Sequence, residues 1–188
     1  MTRPIDEGLF VDGVWMATYT GIAFHPLDPR VYEVRIADIA HALSNTCRYN
    51  GHCSKFYSVA EHSVHVSYMV SPEHALEALL HDASEAYVGD VIRPLKGRLQ
   101  DFLKIEQLND KAIRDRFGLP AVESPEVKLA DTRILRSEMK ALFPFLTGIE
   151  WPYQIDPMVR VECWQPARAK ERFFERYHEL SDAKEGGL

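Results

Sequence analysis

The fold is decided by residues 75–89, which read ALEALLHDASEAYVG. Their apolar positions are typical of a buried helix that ends at Gly89, a residue suited to a left-handed exit. His81 and Asp82 interrupt the apolar interior of that helix, and burying such a pair without partners is costly. A divalent cation would compensate, because an imidazole and a carboxylate are suitable ligands for one. A surface position is the alternative interpretation, since an isolated His-Asp pair is usually exposed.

The segment before this helix predicts a second helix with another imidazole. Ser58-Val59-Ala60-Glu61 is a capping box, in which the serine oxygen and the Glu61 side chain each satisfy a free backbone N–H, so a helix is expected over residues 58–70. Ser71-Pro72 begins the next helix at once, and the two should form an antiparallel or sharply angled pair. His62 precedes His81 by nineteen positions, so this helix pair could bring both imidazoles to one point. An ordinary hydrogen-bonded packing role is the alternative for His62.

A third helix is predicted to contribute a carboxylate. Ser124-Pro125 is a cap-and-proline start for a helix that runs to about Leu142. Asp131 lies in the middle of its apolar stripe, between Val127 and Leu135. Because these two residues occupy the positions four before and four after it, no lysine or arginine there can neutralise the carboxylate. A metal ion would satisfy it.

The remaining sequence predicts a mainly helical chain with a short β-containing start. Residues 1–35 carry turn residues of a small hairpin, including Asp12-Gly13, and form an irregular lead-in. Helical periodicity begins at Ile36, and further helices are expected over residues 98–117 and 166–180.

Length and composition fit a single domain. The chain has 188 residues, of which 46% are hydrophobic, and this suffices for one core. We therefore predict one domain over residues 1–188, made of the lead-in, a helical core at 36–180 and a frayed tail at 181–188.

Charge and targeting signals restrict the partners. A net charge of −6 offers no positive surface to a nucleic-acid polymer, although local cations and a metal could still bind a small phosphorylated ligand. The first residues lack a secretory pattern, and no segment approaches the roughly 20 apolar residues of a membrane span, so a cytoplasmic protein without a membrane partner is expected.

The three cysteines are interpreted as reduced and incidental. Cys47, Cys53 and Cys163 lack the spacing of a zinc site or a disulfide framework.

His62, then His81-Asp82, then Asp131 resemble the H…HD…D signature of the HD phosphohydrolases. The surrounding sequence closely resembles the small bacterial 5′-deoxynucleotidase branch and, further, a bacteriophage-type subgroup that includes dATP triphosphohydrolases. The resembling segments are residues 18–21, 41–45, 48–52, 57–63, 78–86 and 89–90. The resemblance implies an HD-domain helical bundle.

The resemblance also implies one divalent metal ion (Co, Mn, Zn, Ni, Fe or Mg) held by four ligands: His62, His81, Asp82 and Asp131. Such a site keeps open positions for water and a substrate phosphate. Glu85, one turn after the His-Asp pair, is implied as the group that orients or deprotonates the water or protonates the leaving oxygen, and Asp90 as a second acid/base group. An unpaired surface glutamate is the alternative for Glu85.

Four further residues are expected to contact substrate. Arg48 lies near the place of a substrate-binding arginine in the nucleotidase branch and suits a phosphate, and Lys96 lies where relatives have a lysine near the metal. His52 could touch phosphate from the loop of Arg48, and Trp15 could stack on a base. Solvated surface cations and packing aromatics are the alternatives.

The implied function is metal-dependent hydrolysis of a deoxynucleotide, with a dATP-like dNTP split into nucleoside and triphosphate as the first expectation. Action on deoxynucleoside monophosphates is the alternative within the superfamily. A regulatory protein that binds metal and nucleotide without turnover and a protein with a purely structural metal are the alternatives of other classes. Glu85 and Asp90 favour an enzyme over a pure binder. Family likeness further implies a homo-oligomer.

Overall fold

The computed structural model describes residues 14–148, 154–157 and 159–185, and these are mainly helical, as predicted. A two-stranded antiparallel sheet comes first, formed by β1 (Met16–Ala17) and β2 (Ala23–Phe24). The helices that follow are α1 (Ile36–Asn45), α2 (Val59–Ser67), α3 (Ala75–Leu80), α4 (Glu85–Val88), α5 (Arg93–Lys96), α6 (Gln100–Phe117), α7 (Pro125–Leu142) and α8 (Pro166–Glu185). None of the described helices combines the length and the apolar character needed to cross a bilayer.

The predicted lead-in hairpin is present between β1 and β2. Its turn closes where the N–H of Thr18 donates to the carbonyl of Ile22 at 2.9 Å. The predicted turn residues Asp12-Gly13 lie outside the described residues. Phe24 is fully buried and stacks on Tyr87 with ring centroids 3.7 Å apart, so the hairpin is packed against α4.

Helix α2 lies at the centre of the bundle, where it packs against α1, α3, α7 and α8. The predicted apolar face of α1 is confirmed, because Ile39, Ala40 and Leu43 are fully buried. These three residues belong to a first apolar cluster, which packs α1 against α2 and α3. A second apolar cluster forms where α2 and α3 meet α7, from Val66, Ala78, Val127, Ala130 and Ile134. The second cluster fixes the position of α7 relative to α2 and α3.

The helix predicted over residues 71–89 is divided in the structure. A 3-10 turn over Pro72–His74 precedes α3, and residues 81–84 form a turn between α3 and α4. The N–H groups of Ala83 in this turn and of Glu85 and Ala86 at the start of α4 donate to the carbonyl three residues earlier, at 3.0 to 3.2 Å, which tightens the chain locally. His81 and Asp82 therefore lie in a turn rather than in a continuous helix.

Two predicted helix ends are also wrong. Helix α2 ends at Ser67 instead of residue 70. Helix α8 continues to Glu185, so the tail predicted to fray at 181–188 is helical over 181–185. Residues 186–188 lie outside the described residues.

The predicted capping box at the start of α2 forms only in part. The Ser58 hydroxyl accepts from the N–H of Glu61 at 3.1 Å, as expected. The Glu61 carboxylate does not return to Ser58. It accepts three backbone N–H bonds at 2.6 to 2.9 Å from the segment that enters α8, from Glu162, Cys163 and Trp164.

Candidate metal centre

Three of the four predicted ligands, His62, His81 and Asp131, have ligand atoms that all lie within 4.8 Å of one another and could hold a metal ion. The fourth, Asp82, lies beside the two imidazoles. His62 Nε2 lies 3.3 Å from His81 Nε2. Asp82 Oδ2 lies 3.3 Å from His81 Nε2 and 3.6 Å from His62 Nε2. Asp131 Oδ1 lies 3.3 Å from His62 Nε2 and 3.9 Å from His81 Nε2. Ligand bonds of about 2.1 Å place neighbouring donor atoms about 3.0 to 3.5 Å apart. The three spacings of 3.3 Å fit a single ion, while those of 3.6 and 3.9 Å are wider.

Hydrogen bonds on the far side of both rings determine where the imidazole lone pairs point. Nδ1 of His62 lies 2.6 Å from Glu138 Oε1, and Nδ1 of His81 lies 2.8 Å from the carbonyl of Ala78. An ionised carboxylate and a carbonyl only accept hydrogen bonds, so each Nδ1 carries a proton. If both rings were neutral, the two Nε2 lone pairs would face each other, which is repulsive unless a proton or a metal ion lies between them. The arrangement can therefore hold a cation.

The charges of the ligands complement each other. Burial alone would lower the pKa of His81, but the carboxylates of Asp82 and Asp131 raise it to about 9. Burial opposes ionisation of Asp82, yet His81, His62 and Arg48 hold its pKa well below the usual range. The pKa of Asp131 is likewise lowered by His62 and His81 against the effect of burial. Two ionised carboxylates thus face the imidazole pair, as a divalent cation requires.

Glu138 of α7 orients this site from its buried side, and the sequence reasoning did not identify it. Its fully buried carboxylate contacts His62 Nδ1 at 2.6 Å, the Tyr57 hydroxyl at 2.9 Å, Arg48 Nη2 at 3.7 Å and the hydroxyl of Tyr49. Burial disfavours its charge, but Arg48 and His62 hold the pKa of Glu138 below its usual range. One signal was present, because Glu138 follows Asp131 by seven residues and therefore lies on the same helical face.

Arg48 lies beside the predicted ligands, and its guanidinium faces carboxylates of the protein. Nη1 is 3.2 Å from Asp82 Oδ2, and Nη2 faces Glu138. The residue is only 9% exposed, so in this structure it positions the candidate ligand Asp82. Contact of Arg48 with a substrate phosphate stays a prediction.

The backbone after Arg48 is strained. Tyr49 and Asn50 have φ values of 57° and 51°, and the bond of the Tyr49 hydroxyl to Glu138 helps to hold this costly conformation.

Glu85 and Asp90 lie near enough to Asp82 for its charge to raise the pKa of both. Glu85 is buried, and its Oε2 has no hydrogen-bond partner in the described part of the chain. Burial and the charges of Asp82 and Asp90 raise the pKa of Glu85 well above its usual value. Burial is also the main cause that raises the pKa of Asp90. The protonated form of Glu85 is therefore favoured over that of an exposed glutamate.

The other predicted substrate residues differ in their placement. Burial opposes the charge of Lys96, but the bond of its Nζ to Glu106 at 2.7 Å and the weaker effects of Glu85 and Asp82 raise its pKa. His52 is exposed, and its ring makes no hydrogen bond or ion pair with another described residue. Trp15 is half-buried directly before β1.

Asp131 has a positive partner that the sequence reasoning missed. Arg93 of α5 donates from Nη2 to Asp131 Oδ2 at 2.6 Å. Val127 and Leu135 leave the positions four before and four after Asp131 without a cation, as predicted, but the carboxylate already has a cationic partner without a metal. A separate element provides a guanidinium, a contact that helix periodicity cannot predict.

The chain has recognisable relatives. It is 40% identical over 177 residues to YfdR of Escherichia coli K12, an uncharacterised protein, which covers 90% of this chain and 97% of YfdR. The chain belongs to the YfdR family. An uncharacterised protein of Rhodobacter capsulatus is 35% identical over 145 residues, 70% of this chain and 74% of that protein. No protein-family model matches the chain. The names of these YfdR relatives state no activity, so a function has to be argued from the site.

Proposed function

We propose that the chain is a metal-dependent phosphohydrolase of the HD type that acts on deoxynucleotides. The observation that carries the proposal is the pair of facing Nε2 atoms of His62 and His81, 3.3 Å apart, with carboxylate oxygens of Asp82 and Asp131 beside them. Two imidazoles and two carboxylates suit Mn, Co, Ni, Fe or Zn. Four protein ligands leave positions open on a metal with higher coordination, which a phosphate ester and water can take. The H…HD…D resemblance supports the same reading.

In the proposed reaction, the metal and the residues that orient its imidazole ligands have different roles. When bound, the metal would polarise a phosphoryl oxygen and lower the pKa of a water molecule. Glu138 and the Ala78 carbonyl keep the two imidazoles in the orientation that the metal needs. These contacts prepare the site before substrate arrives.

Glu85 and Asp90 supply proton transfer in the proposed reaction. Water attacks the phosphorus attached to the 5′ oxygen, a new P–O bond forms, and the bond from phosphorus to the 5′ oxygen breaks. Asp90 takes the proton of the attacking water, and Glu85, which holds a proton because burial and neighbouring carboxylates raise its pKa, gives that proton to the 5′ oxygen. The deoxynucleoside then leaves with its hydroxyl restored.

A dATP-like deoxynucleoside triphosphate is the substrate that we propose first, because of the resemblance to the bacteriophage-type subgroup. Its products would be a deoxynucleoside and triphosphate. A deoxynucleoside monophosphate would break at the same bond and release orthophosphate. The two substrates differ in the length of the phosphate chain and not in the chemistry of the step.

The test is a panel of deoxynucleoside mono- and triphosphates incubated with the purified chain and Mn, Co, Mg or Zn. We expect release of triphosphate from dATP, identified by chromatography of the phosphate products. Release of orthophosphate from monophosphates alone would replace the triphosphate assignment with the nucleotidase alternative. Absence of hydrolysis with every metal would contradict the proposal.

Variants separate metal binding from proton transfer. Glu85→Gln should retain the metal and lose about 100- to 10,000-fold in kcat, because only the transferable proton is removed. His81→Ala should lose metal and turnover together. Glu175→Gln changes an exposed carboxylate of α8 and serves as the matched control that keeps both properties. Loss of metal in Glu85→Gln would contradict these separate roles.

A further inference from the structure

The described cations around the site differ in their exposure and in the carboxylates that they contact. Arg48 is buried against two carboxylates. Lys96 is bonded to Glu106, and its side chain is 30% exposed. The side chain of Arg93 is 63% exposed, and its one described hydrogen bond goes to Asp131. Exposure therefore distinguishes Arg93 from the other two cations.

The bond to Asp131 places the exposed Arg93 side chain beside the candidate metal ligands. Arg93 Nη2 lies 2.6 Å from Asp131 Oδ2, while the other oxygen of the same carboxylate lies 3.3 Å from His62 Nε2. The Asp131 carboxylate thus contacts the guanidinium with one oxygen and the imidazole of His62 with the other. A guanidinium has five N–H donors, of which this bond uses one. The unused donors form a planar fork suited to two oxygens of one phosphate.

We propose that Arg93 is the phosphate-binding residue of this site. It keeps its bond to Asp131 and offers the remaining donors to a phosphate that occupies the open positions beside the metal. The inference rests on the proposed function, because it assumes a metal held by His62, His81, Asp82 and Asp131. It goes beyond that function by assigning the phosphate contact to Arg93, a residue that the sequence analysis did not select, in place of Arg48.

Arg133 offers a matched control on the same helix as Asp131. It is also an exposed arginine, 46% accessible in its side chain, and its Nη2 donates to a carboxylate oxygen of Asp156 at 3.0 Å. Two residues along an α-helix correspond to about 200° of rotation, so Arg133 faces away from the metal ligands. Replacing it removes the same charge and the same kind of bond at a distance from the site.

The experiment measures binding of inorganic phosphate to the full chain loaded with Mn²⁺. Phosphate is titrated calorimetrically into wild type, Arg93→Gln, Arg93→Lys and Arg133→Gln, and bound Mn²⁺ is determined for each. Arg93→Gln should weaken phosphate binding about 10- to 100-fold at unchanged Mn²⁺ content, because charge-assisted hydrogen bonds are lost. Arg93→Lys should bind phosphate with an affinity between those of wild type and Arg93→Gln, since lysine keeps the charge without the planar fork of donors. Arg133→Gln should bind phosphate as wild type does.

Two results would overturn the assignment. Arg93→Gln could bind phosphate with wild-type affinity, or it could lose Mn²⁺ and phosphate together, which would make Arg93 a support for Asp131 alone. Failure of the proposed function gives a different result. A wild-type chain that binds phosphate through Arg93 and hydrolyses no nucleotide would contradict the hydrolase proposal and support this assignment.

Discussion

His81 is the residue at which a proton and a metal ion compete. Burial opposes its charge, but Asp82 and Asp131 raise its pKa to about 9, so the metal-free ring is protonated at neutral pH. Because folding raises the pKa of His81, protonation of this ring stabilises the metal-free fold. The contribution is fully present at pH values below the usual imidazole pKa and is lost as the pH rises through about 9. A metal needs the neutral ring and must displace that proton.

We therefore expect metal binding near neutral pH to release about one proton from His81. The affinity should rise about tenfold per pH unit between about pH 6.5 and pH 8. Calorimetry of metal binding in two buffers with different ionisation enthalpies counts the released protons. Identical heats in the two buffers would show that His81 is already neutral and would contradict the expectation.

Glu138 determines how strongly His62 binds a metal. Glu138→Gln keeps an oxygen for the bond to His62 Nδ1 but removes the negative charge that polarises the ring. We expect the metal affinity to fall about 10- to 100-fold, measured by competition with a chromophoric chelator. Glu175→Gln is the control, because that carboxylate is exposed and paired only with Arg172 among the described residues. Unchanged affinity in Glu138→Gln would mean that the charge of Glu138 does not act on the ligand.

At the scale of elements, Glu61 joins α2 to the segment that enters α8. Its fully buried carboxylate accepts three backbone N–H bonds, from Glu162, Cys163 and Trp164. Cys163 has a φ of 60°, a left-handed value that is unusual for a cysteine, and its N–H is one of the three donors. The carboxylate therefore holds a backbone shape that the segment does not favour by itself.

Replacing Glu61 should destabilise the fold through these lost bonds. Glu61→Ala leaves three N–H groups without their acceptor, and we expect the free energy of unfolding to fall by about 2–4 kcal/mol in urea denaturation. Glu162→Ala is the control, because its exposed carboxylate bonds only the Trp164 indole at 2.8 Å. The control should lose about 0.5 kcal/mol or less. Equal losses in both variants would show that the buried carboxylate has no special role.

At the scale of the whole molecule, a metal would link three segments that the apolar core already holds together. The apolar clusters around α2 pack the helices together through side chains other than the four candidate ligands, so we expect the fold to persist without the ion. We expect a chelator to leave the helical circular dichroism intact and to lower Tm by about 5–10 °C, the loss of about 2–3 kcal/mol of ligand stabilisation at saturating metal. Unfolding upon chelation would instead support the purely structural metal.

Local information in the sequence predicted most of the helices and, together with the family resemblance, the four candidate ligands. Serine caps followed by proline, together with the period of apolar residues, predicted α7 at Pro125–Leu142, and a polar pair inside an apolar run identified His81 and Asp82. These signals depend on neighbours within a few turns of helix, so they can be read from the chain alone.

Only the tertiary structure decided what surrounds those ligands. The bonds of Arg93 to Asp131, of Glu138 to His62 and of Glu61 to Trp164 join residues 38, 76 and 103 positions apart. Such contacts depend on how α2, α5 and α7 pack against each other, and no short-range pattern records that packing. A buried charge needs a partner, but the sequence does not say which distant residue will provide it.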